Sequence, residues 1–155
     1  NNDYSQVKGA WANGRYYDGD SGQAVSNRFV QVGANKWVYL NQNGQKVVGL
    51  QHINGKLYYF EGNGVQAKGK LLTYRGKKYY FDANSGEAVT NRFIQVSRGV
   101  WYYFNVSGQA VTGEQVINGQ HLYFDASGRQ VKGRYVWVKG QRRYYDANTG
   151  AWVRK

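Results

Sequence analysis

A glycine that recurs at two fixed spacings constrains this chain more than any other feature. It closes seven similar segments, each with an aromatic stretch before the glycine and a short β-branched stretch after it. The seven are Gly22, Gly44, Gly64, Gly86, Gly108, Gly128 and Gly150. Successive glycines are 22, 20, 22, 22, 20 and 22 residues apart, so the spacing itself repeats every three segments, with a superperiod of 64 residues. Such a period indicates a repeat protein in which each unit buries its apolar face on its neighbours.

Other residues obey the same 64-residue offset. Asn27-Arg28-Phe29 returns as Asn91-Arg92-Phe93, and Ile53-Asn54-Gly55 returns as Ile117-Asn118-Gly119. A match of this length indicates that a block of three segments has been duplicated.

The chain begins inside this pattern. Gln6-Val7-Lys8-Gly9 has the same sequence as Gln130-Val131-Lys132-Gly133, which ends a segment rather than starting one. We therefore interpret residues 1–155 as a single repeat array and expect its N-terminus to be cut from within a longer array.

Each segment reads as two short strands joined by a tight turn. Trp101–Gly113 has an aromatic run, the turn Asn105-Val-Ser-Gly108 and then a second short strand. Aromatic and β-branched residues favour strands, whereas Asn, Asp, Ser and Gly favour the turns between them. The sequence predicts an all-β fold, a β-solenoid of about seven stacked hairpins with a three-hairpin superperiod.

Alternation along each strand predicts which residues are buried. A bulky residue before each turn and a small apolar residue three positions after each turn glycine should face the axis of the stack. They are Tyr17, Leu40, Phe60, Phe81, Phe104, Phe124 and Tyr145, with Val25, Val47, Ala67, Val89, Val111, Val131 and Val153. Tyrosine stands one position before the first set in every segment and should pack between hairpins or be partly open to solvent. This ladder is Tyr16, Tyr39, Tyr59, Tyr80, Tyr103, Tyr123 and Tyr144.

The polar residues lack the pattern of an active site. Five carboxylates occupy one turn position, which turn chemistry explains: Asp18, Glu61, Asp82, Asp125 and Asp146. His52 and His121 do not correspond under the offset, and the sequence has no cysteine, phosphate loop, metal motif or nucleophile elbow. We predict a binding domain rather than an enzyme, without catalytic residues, metal or cofactor.

Two sets of residues meet the requirements of a carbohydrate site. Such a site needs an aromatic platform for the C–H face of a sugar and polar side chains for its hydroxyl groups. The first set is Tyr39, Gln51 and Lys68, flanked by Trp37; the second is Tyr103, Gln115 and Lys132, flanked by Trp101. The tyrosines alone also fit a structural ladder, but the Gln and Lys vary between classes of segment and recur within a class. Several sites on one chain would bind a polymer with avidity.

The net charge of +12 raises the alternative of an anionic partner. Basic and aromatic residues together can bind single-stranded nucleic acid. However, only Lys68 with Lys132 and Arg28 with Arg92 recur as the same basic residue at the 64-residue offset. No apolar run approaches the ~20 residues of a membrane helix. We therefore expect neither a nucleic acid nor a membrane as partner.

The run from Trp101 to Gly133 closely resembles a known family. It reads Trp-Tyr-Tyr-Phe-Asn-x-x-Gly-Gln-Ala-Val-Thr-Gly-x-Gln-x-Ile-Asn-Gly-Gln, then Leu-Tyr-Phe-Asp-x-x-Gly-x-Gln-Val-Lys-Gly. These motifs are similar to the glucan-binding repeats of secreted glucansucrases, the glucosyltransferases and dextransucrases of streptococci and related lactic acid bacteria. Those repeats belong to the cell-wall-binding repeat superfamily, which includes choline-binding modules.

The resemblance implies a β-solenoid that binds α-glucans such as dextran and isomalto-oligosaccharides, outside the cell or at its wall, beside a catalytic domain that is absent here. It implies pockets built from a stacking Tyr with a Gln and a Lys. By motif position these are Tyr103, Gln115 and Lys132, and Tyr39, Gln51 and Lys68. We expect the module to be monomeric.

Two ligands remain as alternatives to glucan. The choline-binding branch expects a Trp just after the Thr-Gly pair, whereas Leu50, Lys70, Glu114 and Arg134 stand at the equivalent positions, so the aromatic cage for a quaternary ammonium is incomplete. An anionic wall polymer such as teichoic acid is the other alternative, favoured by the charge.

Overall fold

The computed structural model describes residues 9–12 and 14–154. They form fifteen strands, and within these ranges there is no helix. The strands are β1 (Gly9–Ala12), β2 (Arg15–Asp18), β3 (Arg28–Gly33), β4 (Lys36–Leu40), β5 (Gly49–Ile53), β6 (Lys56–Phe60), β7 (Lys70–Tyr74), β8 (Lys77–Phe81), β9 (Arg92–Ser97), β10 (Val100–Phe104), β11 (Gly113–Ile117), β12 (Gln120–Phe124), β13 (Arg134–Val138), β14 (Gln141–Tyr145) and β15 (Trp152–Val153). The all-β, hairpin-repeat prediction is therefore confirmed.

The described residues fall into two compact units. Unit 1 contains the residues up to Lys70 together with Phe81–Ala88, and unit 2 contains Leu71–Tyr80 with the residues from Val89 onwards. Each predicted site lies within one unit, the Tyr39 set in unit 1 and the Tyr103 set in unit 2. Residues 6–8, on which the N-terminal interpretation rests, lie outside the described ranges.

Consecutive strands pair in twos, from β1–β2 to β13–β14, and β15 adds to β14. The connection inside a hairpin is a two-residue turn such as Asn54-Gly55, where φ is 53° and 79°. Positive φ at both central residues is the requirement of a type I′ turn, whose twist matches that of the flanking strands. Asn and Gly are the residues that tolerate this conformation best.

The strand expected after each glycine-closed turn is shorter than predicted. In Trp101–Gly113 the turn forms, since Gly108 N–H donates to the Asn105 carbonyl at 2.9 Å. After it, Ala110 makes an isolated bridge to Phe104, and Gly113 already begins β11. The aromatic strand β10 instead takes the preceding strand β9 as its main partner.

The reason is that the segment after the turn also bonds to a different hairpin. Ala110 N–H donates to the Lys78 carbonyl on β8 at 2.9 Å, and Ala88 N–H donates to the Leu57 carbonyl on β6 at 2.8 Å. A backbone N–H that bonds to another hairpin is not available to extend the local ladder. These bonds link successive hairpins within each unit.

The predicted core is largely confirmed. Leu40, Phe60, Phe81, Phe104, Phe124 and Tyr145 are fully buried, and the ladder tyrosines from Tyr39 to Tyr144 are half-buried. The first and last segments depart from this pattern of burial. Tyr16, against which Trp11 packs edge-on at 5.0 Å, is buried in place of the half-buried Tyr17. Val153 is 40% exposed.

Candidate functional site

Trp101 and Tyr103 lie on one face of β10, because they alternate with the buried Tyr102 and Phe104. The Tyr103 ring meets Phe93 edge-to-face, with ring centroids 4.8 Å apart and planes at 65°. It also packs against the cluster formed by Ile117, Leu122 and Phe124. Tyr103 is therefore a half-buried ring fixed by its neighbours, and it is a ladder residue as well as the predicted platform.

Lys132 lies over the ring of Trp101, with its Nζ 5.1 Å from the ring centroid. The backbone explains this contact. Gln130 N–H donates to the Trp101 carbonyl at 2.8 Å, which brings the chain two residues before Lys132 against β10. A cation at this distance from an indole face is favourable. The structure thus joins two predicted site residues that are 31 positions apart.

The Gln115 side chain has a fixed orientation. Its Nε2 donates to the Thr112 carbonyl at 2.8 Å, and the residue is half-buried on β11. A primary amide has two donor hydrogens and an acceptor oxygen, so this bond uses one part of its capacity. Gln115 also borders a cavity of about 340 Å³ with Glu114, His121, Lys139 and Arg143.

Unit 1 repeats most of this arrangement. The Tyr39 ring meets Phe29 edge-to-face at 4.9 Å and 70°. Gln51 Nε2 donates to the Val48 carbonyl at 2.6 Å, as Gln115 does to Thr112. The Trp37 carbonyl accepts a bond from Gln66 N–H at 2.7 Å, as Trp101 does from Gln130.

The lysine of the first predicted site is Lys68, and its surroundings are described by a cavity. It lines a cavity of about 460 Å³ with Asn35, Gln66, Lys70 and Asn84. The grouping of Tyr, Gln and Lys around one sugar remains a prediction in both units, because the contacts above are made by these residues with other neighbours.

One charged group beside Gln115 was missed by sequence reasoning. Arg143 Nη1 donates to Glu114 Oε2 at 2.7 Å, and Lys139 Nζ lies 3.2 Å from Glu114 Oε1. The Arg143 side chain is only 10% exposed, with its guanidinium carbon 3.8 Å from the centroid of the Trp152 ring. The hydrogen bond from Arg143, followed by that from Lys139, lowers the pKa of the Glu114 carboxyl.

The signal for this group was present in the sequence. At the 64-residue offset Glu114 replaces Leu50, and Arg143 replaces Tyr79. An acid and a base that enter together at two apolar positions of a duplicated block indicate an ion pair.

Asp18, Asp82, Asp125 and Asp146 have the structural role in their turns that was predicted, whereas the Glu61 carboxylate pairs with Lys70. Asp146 Oδ2 accepts bonds from Asn148 N–H and Thr149 N–H, both at 2.8 Å. These bonds, with Thr149 as the larger contribution, lower the pKa of Asp146. Within residues 9–12 and 14–154 no group of His, Asp and Glu side chains is arranged to hold a metal ion. In the same ranges no helix is long and apolar enough to cross a membrane.

The chain matches two families of repeats. "Choline-binding repeat" matches residues 47–93 and 111–155, and "Putative cell wall binding repeat" matches residues 27–46 and 91–110. The chain belongs to the choline-binding repeat family. Each pair of matched stretches is offset by 64 residues at its start, which agrees with the duplication deduced from the glycines.

Among curated proteins, the chain is similar to two streptococcal glucosyltransferases. It is 48% identical over 150 residues to Glucosyltransferase-S of Streptococcus mutans, a match that covers 94% of this chain and 10% of that protein. It is 47% identical over 135 residues to Glucosyltransferase-I of Streptococcus downei, covering 86% of this chain and 8% of that protein. The chain thus spans about a tenth of the length of these relatives. The predicted resemblance to the repeats of such enzymes is confirmed.

Among solved structures, choline-binding protein F of Streptococcus pneumoniae, crystallised with a peptidoglycan analogue, superimposes with a TM-score of 0.70. The identity is 30%, and the match covers 95% of this choline-binding repeat chain and 52% of that protein.

Proposed function

We propose that this chain is a non-catalytic module that binds α-glucan of the dextran type and serves a linked glucosyltransferase by retaining its polymer. The observation that carries the proposal is the Gln that is oriented by a backbone carbonyl in both 64-residue blocks. In each block it accompanies a Tyr held edge-on by a Phe. Such pre-orientation lowers the entropic cost of binding a sugar hydroxyl group.

The similarity to glucosyltransferases supports glucan as the ligand in preference to choline. A choline site needs an aromatic cage around the ammonium group. The positions where the family places the completing Trp are Leu50, Lys70, Glu114 and Arg134 in this chain. Lys132, which lies over Trp101, would also repel a cationic ligand from that ring.

We further infer that residues 1–155 form one repeat array of about seven hairpins stacked as a β-solenoid. The module acts as a monomer, outside the cell or at its wall, where an α-glucan polymer occurs. Two or more pockets on one chain would then bind the polymer with avidity.

Affinity electrophoresis through gels that contain dextran tests the proposal. We expect Gln115→Ala to bind dextran roughly two- to tenfold more weakly, which corresponds to the loss of one hydrogen bond. Tyr103→Ala should weaken binding further because it also removes the platform. Thermal unfolding of each variant separates a loss of binding from a loss of fold.

Tyr123→Ala is the matched control, since Tyr123 is a half-buried ladder tyrosine that belongs to neither predicted set. It should lose as much stability as Tyr103→Ala and still be retarded by dextran like the parent. If the parent and all three variants migrate alike, α-glucan binding at this site is excluded.

A further inference from the structure

Four Asn-Gly pairs lie in the described part of the chain, and they occupy two different kinds of turn. Asn54-Gly55 and Asn118-Gly119 are the central residues of the hairpin turns between β5 and β6 and between β11 and β12. Asn43-Gly44 and Asn63-Gly64 instead end two of the glycine-closed turns. A fifth pair, at positions 13 and 14, lies partly outside the described residues.

The chemical stability of an Asn-Gly pair depends on the main-chain nitrogen of the Gly. Asn is a thermolabile residue, and a Gly after it has no Cβ to hinder reaction. The Gly nitrogen bonds to the side-chain carbonyl carbon of the Asn and loses its proton, while ammonia leaves and a succinimide ring closes. Water then opens the ring at either carbonyl carbon, which leaves aspartate or isoaspartate. The reaction therefore needs a Gly nitrogen that is free of other bonds and a main chain that can rotate locally.

The two hairpin turns leave this nitrogen open. In each turn the flanking residues pair, as Ile53 does with Lys56, so the Gly between them has no place in the ladder. Among the described residues, neither Gly55 N–H nor Gly119 N–H donates to a backbone carbonyl. Both turns are exposed, and a Cβ on either glycine would meet no atom beyond its chain neighbours within 4 Å.

The two glycine-closed turns protect the same nitrogen. Gly44 N–H donates to the Asn41 carbonyl at 2.9 Å, and Gly64 N–H donates to the Glu61 carbonyl at 2.7 Å. Both glycines are buried. The Asn63 side chain is held as well, because its Oδ1 accepts a main-chain N–H bond at 2.9 Å from two residues later. A nitrogen that is bonded and buried can react only after this part of the fold has opened.

We propose that Asn54 and Asn118 are modification sites at which the folded protein deamidates spontaneously, while the asparagines of the glycine-closed turns are protected. The ring joins the Asn side chain to the next nitrogen, so a hairpin turn must distort briefly before the ring closes. This distortion involves two exposed residues, whereas the other turns must also break a buried hydrogen bond. The inference uses no ligand and does not depend on the proposed function.

The products would change the hairpins that carry the two predicted glutamines. Gln51 and Gln115 each stand three residues before a modified position. Either product adds a negative charge to a chain of net charge +12, and isoaspartate also adds a methylene group to the main chain. Because turn geometry fixes the register of a hairpin, isoaspartate at the turn would disturb the pairing that positions these side chains.

The test incubates the whole chain in mildly alkaline buffer, once folded and once in concentrated guanidinium chloride, and follows deamidation by mass spectrometry of its peptides. Cleavage after Lys and Arg gives each described pair a peptide of its own. The peptides are residues 37–46, 47–56, 57–68 and 99–129.

In the folded protein we expect the two hairpin-turn peptides to deamidate roughly tenfold faster than the two glycine-closed-turn peptides, the factor expected from one buried hydrogen bond. An isoaspartyl methyltransferase should label the fast peptides, which detects isoaspartate directly. In guanidinium chloride all four rates should be alike, because each pair has the same two residues and no turn remains.

Asn118→Gly is the matched control, since Gly tolerates the same turn conformation. It should abolish the deamidation of peptide 99–129, which also contains Asn105 and Gln115, and leave the rate at Asn54 unchanged. Deamidation of this peptide at the parent rate in the variant would show that another amide reacts and would exclude Asn118 as a site.

Three other outcomes would overturn the inference. Equal rates for all four pairs in the folded protein would show that global unfolding, rather than the exposed turns, limits the reaction. Glycine-closed-turn peptides that stay slow in guanidinium chloride would show that the difference comes from local sequence and not from the fold. Hairpin-turn peptides that react only in guanidinium chloride would show that their turns are protected as well.

Discussion

At the scale of single residues, some side chains in this protein have both a structural role and a predicted binding role. Tyr103 is a member of a structural ladder and a predicted platform, and its Phe93 contact serves both roles. Lys132 lies over Trp101 and is a predicted hydrogen-bond donor to sugar. Variants at such residues change stability and binding together, so each binding measurement needs a stability measurement beside it.

Glu114 leads to a prediction about pH. Its pKa is lowered in the folded protein, chiefly by Arg143, so the folded state favours the ionised carboxyl. The stabilisation is therefore present above the ordinary Glu range near pH 4.3 and is lost as the pH falls through the lower folded value. We expect Glu114→Gln to reduce the thermal midpoint at pH 7 and to differ much less from the parent near pH 3. A difference that stays constant across this range would contradict the ion pair's contribution.

At the scale of elements, each hairpin depends on its two-residue turn. Asn118 and Gly119 connect β11 to β12 with φ of 52° and 79°. Asn is among the residues that visit this left-handed region without a large cost, whereas Ala does so poorly. The turn chemistry also fixes the register that places Gln115 opposite Leu122.

We expect Asn118→Ala to lower the free energy of unfolding by about 1 kcal/mol, because a residue with a Cβ and no local hydrogen bond is strained there. Urea denaturation measures this change. Asn118→Gly should stay within a few tenths of the parent, and Gln120→Ala, at an exposed position two residues away, controls for the loss of side-chain polarity. Equal stabilities for the Ala and Gly variants would argue against strain.

Sequence reasoning at this scale identified the turns but misjudged the strands. The glycine-closed turn of Trp101–Gly113 and the buried Phe104 were predicted from local pattern, and both are present. The main partner of the aromatic strand β10 was not predicted, because the residues on both sides of this strand have strand-forming sequences. The choice of β9 depends on Ala110 bonding to Lys78 on another hairpin, a contact that no short window of sequence contains.

At the scale of the whole molecule, the charge of +12 distinguishes the two classes of polymer. A neutral glucan bound by packing and hydrogen bonds should respond little to salt. An anionic wall polymer attracted by the basic residues should be released as the Debye length falls from about 10 Å at 0.1 M to about 3 Å at 1 M salt.

We therefore expect retardation in dextran gels to be nearly the same at about 0.1 M and about 1 M salt. A parallel gel with a poly(glycerol phosphate) polymer supplies the comparison, and a lane with free choline tests competition. Loss of dextran retardation at high salt, or its relief by choline, would favour the alternative ligands over the proposed one.

The sequence by itself determined the features that depend on residues close together in the chain. These include the 64-residue block, the turns, the alternation that buries Phe60, Phe104 and Phe124, and the recurrence of Gln51 as Gln115. Turn geometry and side-chain alternation are short-range properties, so a duplicated sequence repeats them faithfully.

Only the tertiary structure decided which distant side chains meet. It placed Lys132 over Trp101 and paired Arg143 with Glu114. These contacts depend on hydrogen bonds between hairpins and on which cation has a carboxylate in reach. Both are set by how successive hairpins pack. The 64-residue offset signals that Glu114 and Arg143 enter together, but only the packed hairpins bring these two side chains into contact.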